Sequence, residues 1–263
     1  MAAFARCLIQ AMQVHGRHTT PWAGSLRFVA DGLSCANAVC GALSIWCAWH
    51  QSPFASLLLL LAGACFDGLD GAAARRFGGT RFGVLADDVA DAISYAIAPG
   101  VAVACALSGT EGTVIGVSYI ALTIARLVYF TLHKKSAADD PRFFRGVPST
   151  MGGVLALSAV ILFPHGHAIV GFIVGVAVVL MVSFDSAYEH VGRELAGLPL
   201  PRRVGLLLLT GLVALSAVVA GPGAAASAAL CVGLCYGFLP HIARFRELAR
   251  RTAFSRPAAP GLS

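Results

Sequence analysis

Charge is what this chain has least of. Asp, Glu, Lys and Arg make up 12% of its 263 residues while apolar residues reach 57%. A soluble globule is usually about 25% charged and about 45–50% apolar. The mean hydropathy of +0.78 points the same way, and an ordinary soluble domain is excluded. Cysteine pairing is missing too. Cys7, Cys35, Cys40, Cys47, Cys65, Cys105, Cys231 and Cys235 form no C-x-x-C pair, and most fall in apolar runs. They read as buried thiols acting as small hydrophobes, not as a disulfide framework or a zinc site. His133, His165, His167, His190 and His241 show no metal-ligand spacing. No fixed-period repeat is present, which excludes a solenoid. Met1 to Trp22 lacks a long apolar run, so no secretory signal is expected there. Phe4, Cys7, Leu8, Ala11 and Met12 recur at helical spacing. They predict a short interfacial helix, with a disordered arm as the alternative.

What is abundant is apolar sequence in span-length runs. A spanning helix needs about 20 mostly apolar residues. Eight candidates occur, near 33–49, 54–75, 84–107, 113–132, 150–164, 168–184, 204–220 and 224–240. Turn chemistry separates them at His50–Pro53, Ser108–Gly112, Pro164–His167, Gly197–Pro201 and Gly221–Gly223. The expectation is an all-α, polytopic transmembrane bundle of about eight spans. Residues 1–32 form an N-terminal arm, 33–240 the transmembrane catalytic domain, and 241–263 a basic, partly disordered tail.

The net charge is +6 and the pI about 9.1. In a soluble protein that balance suggests nucleic acid; in a membrane protein it reflects Lys and Arg held on the cytoplasmic side. The basic residues settle between these readings by their placement. They precede the first span (Arg6, Arg17, Arg27) or follow the second (Arg75, Arg76, Arg81). Others follow the fourth (Lys134, Lys135, Arg142, Arg145), the sixth (Arg193, Arg202, Arg203) and the eighth (Arg244, Arg246, Arg250, Arg251, Arg256). Arg126 lies in the inner half of the fourth span, so all 19 fall on one side. Both termini are therefore expected in the cytoplasm, and no nucleic-acid partner is expected.

Against this apolar background the acidic residues between Phe66 and Gly100 stand out. Ionisable groups in spans cost several kcal/mol unless paired or hydrated. Asp67 and Asp70 are three residues apart and share a helix face, as do Asp87 and Asp91, four apart. One pair ends a span and the other begins the next, so the two faces converge. Like charges this close need cations between them. All-oxygen ligation suits Mg²⁺ or Mn²⁺, and two such ions would clamp a diphosphate. The neighbours fit a nucleotide diphosphate. Gly71, Ala74, Gly78, Gly79 and Gly83 permit close approach, Thr80 offers a hydroxyl, and Arg75 pairs with phosphate oxygens. Asp88 breaks the face pattern and reads as a neighbour of the site.

These residues resemble the signature of the CDP-alcohol phosphatidyltransferase family, D-x2-D-G-x2-A-R followed by G-x3-D-x3-D. The matching positions are Asp67, Asp70, Gly71, Ala74, Arg75, Gly83, Asp87 and Asp91. The resemblance implies that Asp67, Asp70 and Asp87 bind a divalent metal pair. Asp91 would also ligate metal and serve as general base. Gly71, Arg75 and Thr80 would contact the CDP moiety. The family's N-x2-T element on its first helix has Asp31 and Ser34 as its counterpart here. Within the family the chain is most similar to membrane-embedded phosphatidylserine synthases. The stretches that carry this are Ser34–Ile45 (SCANAVCGALSI), Asp91–Pro99 (DAISYAIAP), Ala125-Arg126-Leu127 with Phe130, and Arg142–Ser149 (RFFRGVPS). The implied reaction moves a phosphatidyl group from CDP-diacylglycerol to the hydroxyl of L-serine and releases CMP. Arg126 and Arg145 are then candidate carboxylate-binding cations. A homodimer is also implied; the setting expected is a bacterial inner membrane, with the site facing the cytoplasm. The alternatives are the same chemistry with glycerol 3-phosphate, inositol phosphate or choline as acceptor, and a divalent-cation transporter that uses the four Asp as its ion site.

Overall fold

A computed structural model describes residues 22–78, 80–133, 143–183, 187–189 and 220–254. Helix α1 spans Trp22–Trp49 and α2 Pro53–Phe77; α3 spans Arg81–Asp91 and runs through a π-helical segment, Ala92–Ile97, into α4, Ala98–Leu107. Then come α5 (Gly109–His133), α6 (Ser149–Leu162), α7 (His167–Val182) and α8 (Pro222–Phe254). Two three-residue strands, β1 (Phe143–Arg145) and β2 (Ala187–Glu189), pair antiparallel with Phe144 opposite Tyr188. They tie the connection before α6 to the one after α7.

The fold is all-α apart from that ribbon. Among the described residues four stretches are long and apolar enough to cross a membrane: Phe28–Trp49, Pro53–Phe77, Phe82–Leu107 and Gly109–Leu132. The expectation of about eight spans is corrected accordingly. Helices α6 and α7 have 14 and 16 residues. At 1.5 Å per residue they reach only about 21 and 24 Å, short of a hydrocarbon core of about 30 Å. In α8 the apolar part stops at Phe238. The span expected at 204–220 and the N-terminal interfacial helix lie outside the described residues. Two boundaries also move. Helix α1 begins at Trp22, well ahead of residue 33, and α8 continues to Phe254 through the segment expected to be a tail.

The turn between α2 and α3 follows from its residues. Gly78 ends α2 at φ 86°, and its N–H closes on the Ala74 carbonyl at 2.9 Å. The left-handed conformation there carries no Cβ penalty for glycine. Thr80 caps α3 by accepting the Gly83 N–H at 2.8 Å. Beyond the turn both helices pack against α1, which holds their polar faces toward one region.

The π segment traces to Pro99, which has no N–H to give to the preceding turn. The Ala98 N–H reaches back five residues to the Ile93 carbonyl. The Tyr119 hydroxyl donates to the Tyr95 carbonyl at 2.9 Å. Helix α5 comes near enough to do this because Gly116 faces Gly100 with no side chain between the two backbones. Around this segment Leu57, Leu60, Tyr95, Ala102, Val154 and Leu157 form one buried cluster. The described cysteines are all free, but only Cys40 is buried; Cys35, Cys65, Cys231 and Cys235 lie on the outer surface. The expectation of buried thiols holds for Cys40 and not for those four. In a membrane bundle the outer surface is itself apolar, so patterning does not separate the two positions.

Candidate active site

Asp67 lies ten residues before the end of α2, and Asp91 ten residues after the start of α3. Both are about 15 Å of helix rise from the shared turn, so they meet at one level. Asp70 and Asp87 lie about one turn nearer to it. Asp67, Asp87 and Asp91 each offer a carboxylate oxygen, and these oxygens all lie within 4.8 Å of one another. Asp70 stands apart from this group. Its Oδ2 accepts the Ser34 hydroxyl at 2.6 Å. The four sequence-predicted carboxylates thus form a triad plus an adjoining residue held by α1.

A cavity opens beside the triad. It is lined by Ser34, Asp70, Gly71, Ala74, Thr80, Gly83, Val84 and Asp87. Five of these, Ser34, Gly71, Ala74, Thr80 and Gly83, are among the residues expected from sequence to bind a CDP-lipid. Asp31, also expected there, supports the wall from behind. It is buried, and its Oδ2 accepts the Thr80 hydroxyl at 2.8 Å. A Cβ on Gly83 would run into the Asp31 carboxylate. Arg75 is exposed at the rim, with a guanidinium nitrogen 3.2 Å from where a Gly71 Cβ would stand. Asp88 is half-buried on the next position of α3.

The donor set fits a hard divalent ion. It is all oxygen, and one oxygen of Asp91 is buried without a hydrogen-bond partner. Opposite ligands of Mg²⁺ stand about 4.2 Å apart, so small side-chain movements would close the triad on an ion. Three carboxylates this close repel one another, which gives a cation a reason to bind.

Arg126 is buried with 5% of its surface exposed. Its Nε donates to the Met181 carbonyl at 3.1 Å, and its guanidinium stacks 4.7 Å over the Phe130 ring. One part of its work is therefore to close the C-terminal end of α7, where a cation also suits the helix dipole. The Val147 N–H covers the neighbouring Leu180 carbonyl at 3.0 Å. Arg145 lies on β1, and its side chain is outside the described residues. At the opposite end of the bundle His167 meets Glu111 at 3.0 Å, remote from the carboxylates and exposed.

Two polar residues were not singled out as site residues from sequence. Asn37 continues the buried face of α1 that carries Asp31 and Ser34, and Tyr95 follows Asp91 by four residues. The signal was available. An amide three residues beyond Ser34 in a spanning helix also carries a burial cost that calls for a partner.

Comparison with known proteins bears on the same residues. The family described as CDP-alcohol phosphatidyltransferase matches residues 27–183, more than half of the chain. A CDP-diacylglycerol–serine O-phosphatidyltransferase of Mycobacterium leprae is 30% identical over 136 residues, covering 49% of this chain and 45% of that protein. A protein of the same name from Helicobacter pylori is 28% identical over 135 residues, 50% of this chain and 56% of that one. The chain thus spans about half the length of the curated relatives it matches.

Proposed function

Because the chain belongs to the CDP-alcohol phosphatidyltransferase family, we propose that it transfers a phosphatidyl group from CDP-diacylglycerol to the hydroxyl of L-serine. The observation that carries this reading is the meeting of Asp67, Asp87 and Asp91 within 4.8 Å beside the Gly- and Thr-lined cavity. Asp67, Asp70, Asp87 and Asp91 would hold Mg²⁺ or Mn²⁺, which when bound neutralises the diphosphate and polarises its phosphorus. Gly71, Ala74 and Gly83 leave room for the CDP group. Thr80, Ser34 and Asp31 fix that wall, and Arg75 pairs with phosphate at the rim. Asp91 takes the proton of the attacking hydroxyl. The acceptor oxygen then forms the new bond to phosphorus, and the bond to the CMP oxygen breaks. Lipid tails remain in the bilayer while the nucleotide occupies the end of the bundle at the α2–α3 turn. The basic residues of the connections on that side support a cytoplasmic orientation, and the bacterial organisms of the relatives above support a bacterial membrane.

Serine is favoured over a phosphorylated acceptor on charge. Among the described side chains Arg126 is the one buried cation, and a phosphate ester would call for a denser basic pocket. The test is CMP release by the purified protein with CDP-diacylglycerol and Mn²⁺, each acceptor supplied in turn. Release that depends on serine supports the assignment. Release that depends on glycerol 3-phosphate or inositol phosphate keeps the chemistry and overturns the acceptor.

Ser34 offers a milder check. Its hydroxyl orients Asp70, and removing such a support typically weakens metal binding by about tenfold or more. Ser34→Ala is therefore expected to raise the Mn²⁺ concentration for half-maximal activity by about tenfold, with little change in maximal rate. An unchanged Mn²⁺ dependence would remove Asp70 from the ligand set.

A further inference from the structure

Deeper in the bundle than the CDP cavity lies a second polar cluster. Asn37 and Tyr95 are both 0% exposed. Neither amide atom of Asn37 has a hydrogen-bond partner, and the Tyr95 hydroxyl has none. Asn37 and Thr150 lie within weak side-chain hydrogen-bonding reach of that hydroxyl without forming a well-aligned bond, and the carboxylates of Asp67 and Asp91 are near enough to act on it electrostatically. Buried polar groups in native proteins are nearly always satisfied, so three atoms with no well-formed bond in one place leave room for a partner from outside the chain. Close packing fixes them there. A Cβ on Gly63 would strike the Asn37 side-chain oxygen Oδ1, and the Tyr119 hydroxyl holds the Tyr95 backbone at 2.9 Å.

Helix α6 points its N-terminus at the same cluster. Thr150 is in its first turn, and the helix start has no side-chain cap, Pro148 standing at the cap position. An uncapped helix start attracts anions through its free N–H groups and its dipole. The cluster therefore offers an amide oxygen and a phenol oxygen for a cationic or hydroxylated group, and a helix start for a carboxylate. Asp91 lies at its edge.

We propose that Asn37, Tyr95, Thr150 and the N-terminus of α6 form the acceptor subsite, built for a small zwitterionic alcohol with a free carboxylate. This rests on the phosphatidyl-transfer reading above. The acceptor's carboxylate sits at the start of α6, its ammonium meets Asn37 Oδ1 and the Tyr95 hydroxyl, and its own hydroxyl is left facing Asp91. Choline and ethanolamine lack the carboxylate and leave the α6 end unpaired.

Tyr95→Phe removes one oxygen and nothing else. In the full-length protein with CDP-diacylglycerol, Mn²⁺ and serine, it is expected to raise KM for serine by roughly tenfold, the loss of one hydrogen bond to a charged group. KM for CDP-diacylglycerol stays unchanged. The melting temperature stays the same or rises, since an unsatisfied buried hydroxyl contributes nothing to the unliganded fold. A hydroxyl serving only the fold, through a bridging water, would show the reverse: a lower melting temperature and an unaltered KM for serine. That result would overturn the proposal. Thr150→Val supplies a second variant, with the same expected rise in KM for serine, should the first not fold. If the wild-type protein releases CMP with serine and both variants match it, the subsite alone fails. If the wild type releases no CMP with any acceptor, the phosphatidyl-transfer reading fails with it.

Discussion

Asp91→Asn is expected to lower metal-dependent CMP release by about 10³-fold while leaving the protein folded. The magnitude follows from losing the proposed general base, since such a group alone contributes about 10²–10⁴-fold. Loss of a metal ligand adds to it. The substitution keeps the side chain's size, so the helix packing around α3 is undisturbed. It also removes one of three carboxylates whose oxygens lie within 4.8 Å. The metal-free variant is therefore expected to be at least as heat-stable as the wild type, because a repulsion has gone. Metal should separate them the other way. An ion that binds only the folded state at 100 times its Kd stabilises by about 2.7 kcal/mol, so Mn²⁺ should raise the melting temperature of the wild type and barely move the variant. Thermal melts with and without Mn²⁺ check this together with the rate. A variant that loses activity and also melts lower without metal would assign Asp91 to the fold instead.

The second large effect lies away from the carboxylates. Gly116→Val is expected to destabilise the bundle by about 1–3 kcal/mol, the usual cost of overpacking a tight core. A Cβ on Gly116 would run into the backbone carbonyl of Gly100, and one on Gly100 would approach the Gly116 carbonyl at 2.8 Å. Backbone on both sides cannot swing away as a side chain end can, so α4 and α5 must part. One helical turn beyond Gly116 stands Tyr119, whose hydroxyl holds the Tyr95 carbonyl. Parting the helices releases that bond and frees the π segment that directly follows Asp91. A lower melting temperature and a reduced rate in the fraction still folded are both expected. Wild-type stability in the Gly116→Val protein would show that the helices are not in close contact here.

How much of this was legible from sequence depends on the kind of interaction. The meeting of Asp67, Asp87 and Asp91 was, because helix periodicity puts Asp87 with Asp91 on one face and the short turn brings Asp67 to the same level; that Asp70 turns to Ser34 of α1 was not, since it depends on tertiary placement. The residues lining the cavity beside them were legible as small side chains next to those carboxylates. The span count was not. Apolar composition marks Ser149–Leu162 and His167–Val182 as membrane-like, but their helices are 14 and 16 residues long, and only the backbone shows where each stops. The β1–β2 ribbon was hidden because strands of three residues leave no alternating pattern to read. The π segment had one marker, Pro99, which predicts a disturbed helix without saying how the turn widens. Arg126 was legible as a buried cation. Its bond to the Met181 carbonyl joins residues 55 apart in the chain and depends on tertiary placement. Asn37 and Tyr95 fell between these cases, since single polar residues in apolar helices are noticed only when their neighbours on the same face are counted with them.

The most direct test of the account is to identify both products of one reaction. Purified protein, CDP-diacylglycerol, L-serine and Mn²⁺ are incubated together, and the lipid and nucleotide products are measured by mass spectrometry. The account predicts phosphatidylserine and CMP in equal amounts, neither of them formed when Mn²⁺ is chelated or Asp91 is replaced by Asn. Folded wild-type protein that forms no phosphatidyl ester, with serine or any other alcohol, would contradict it.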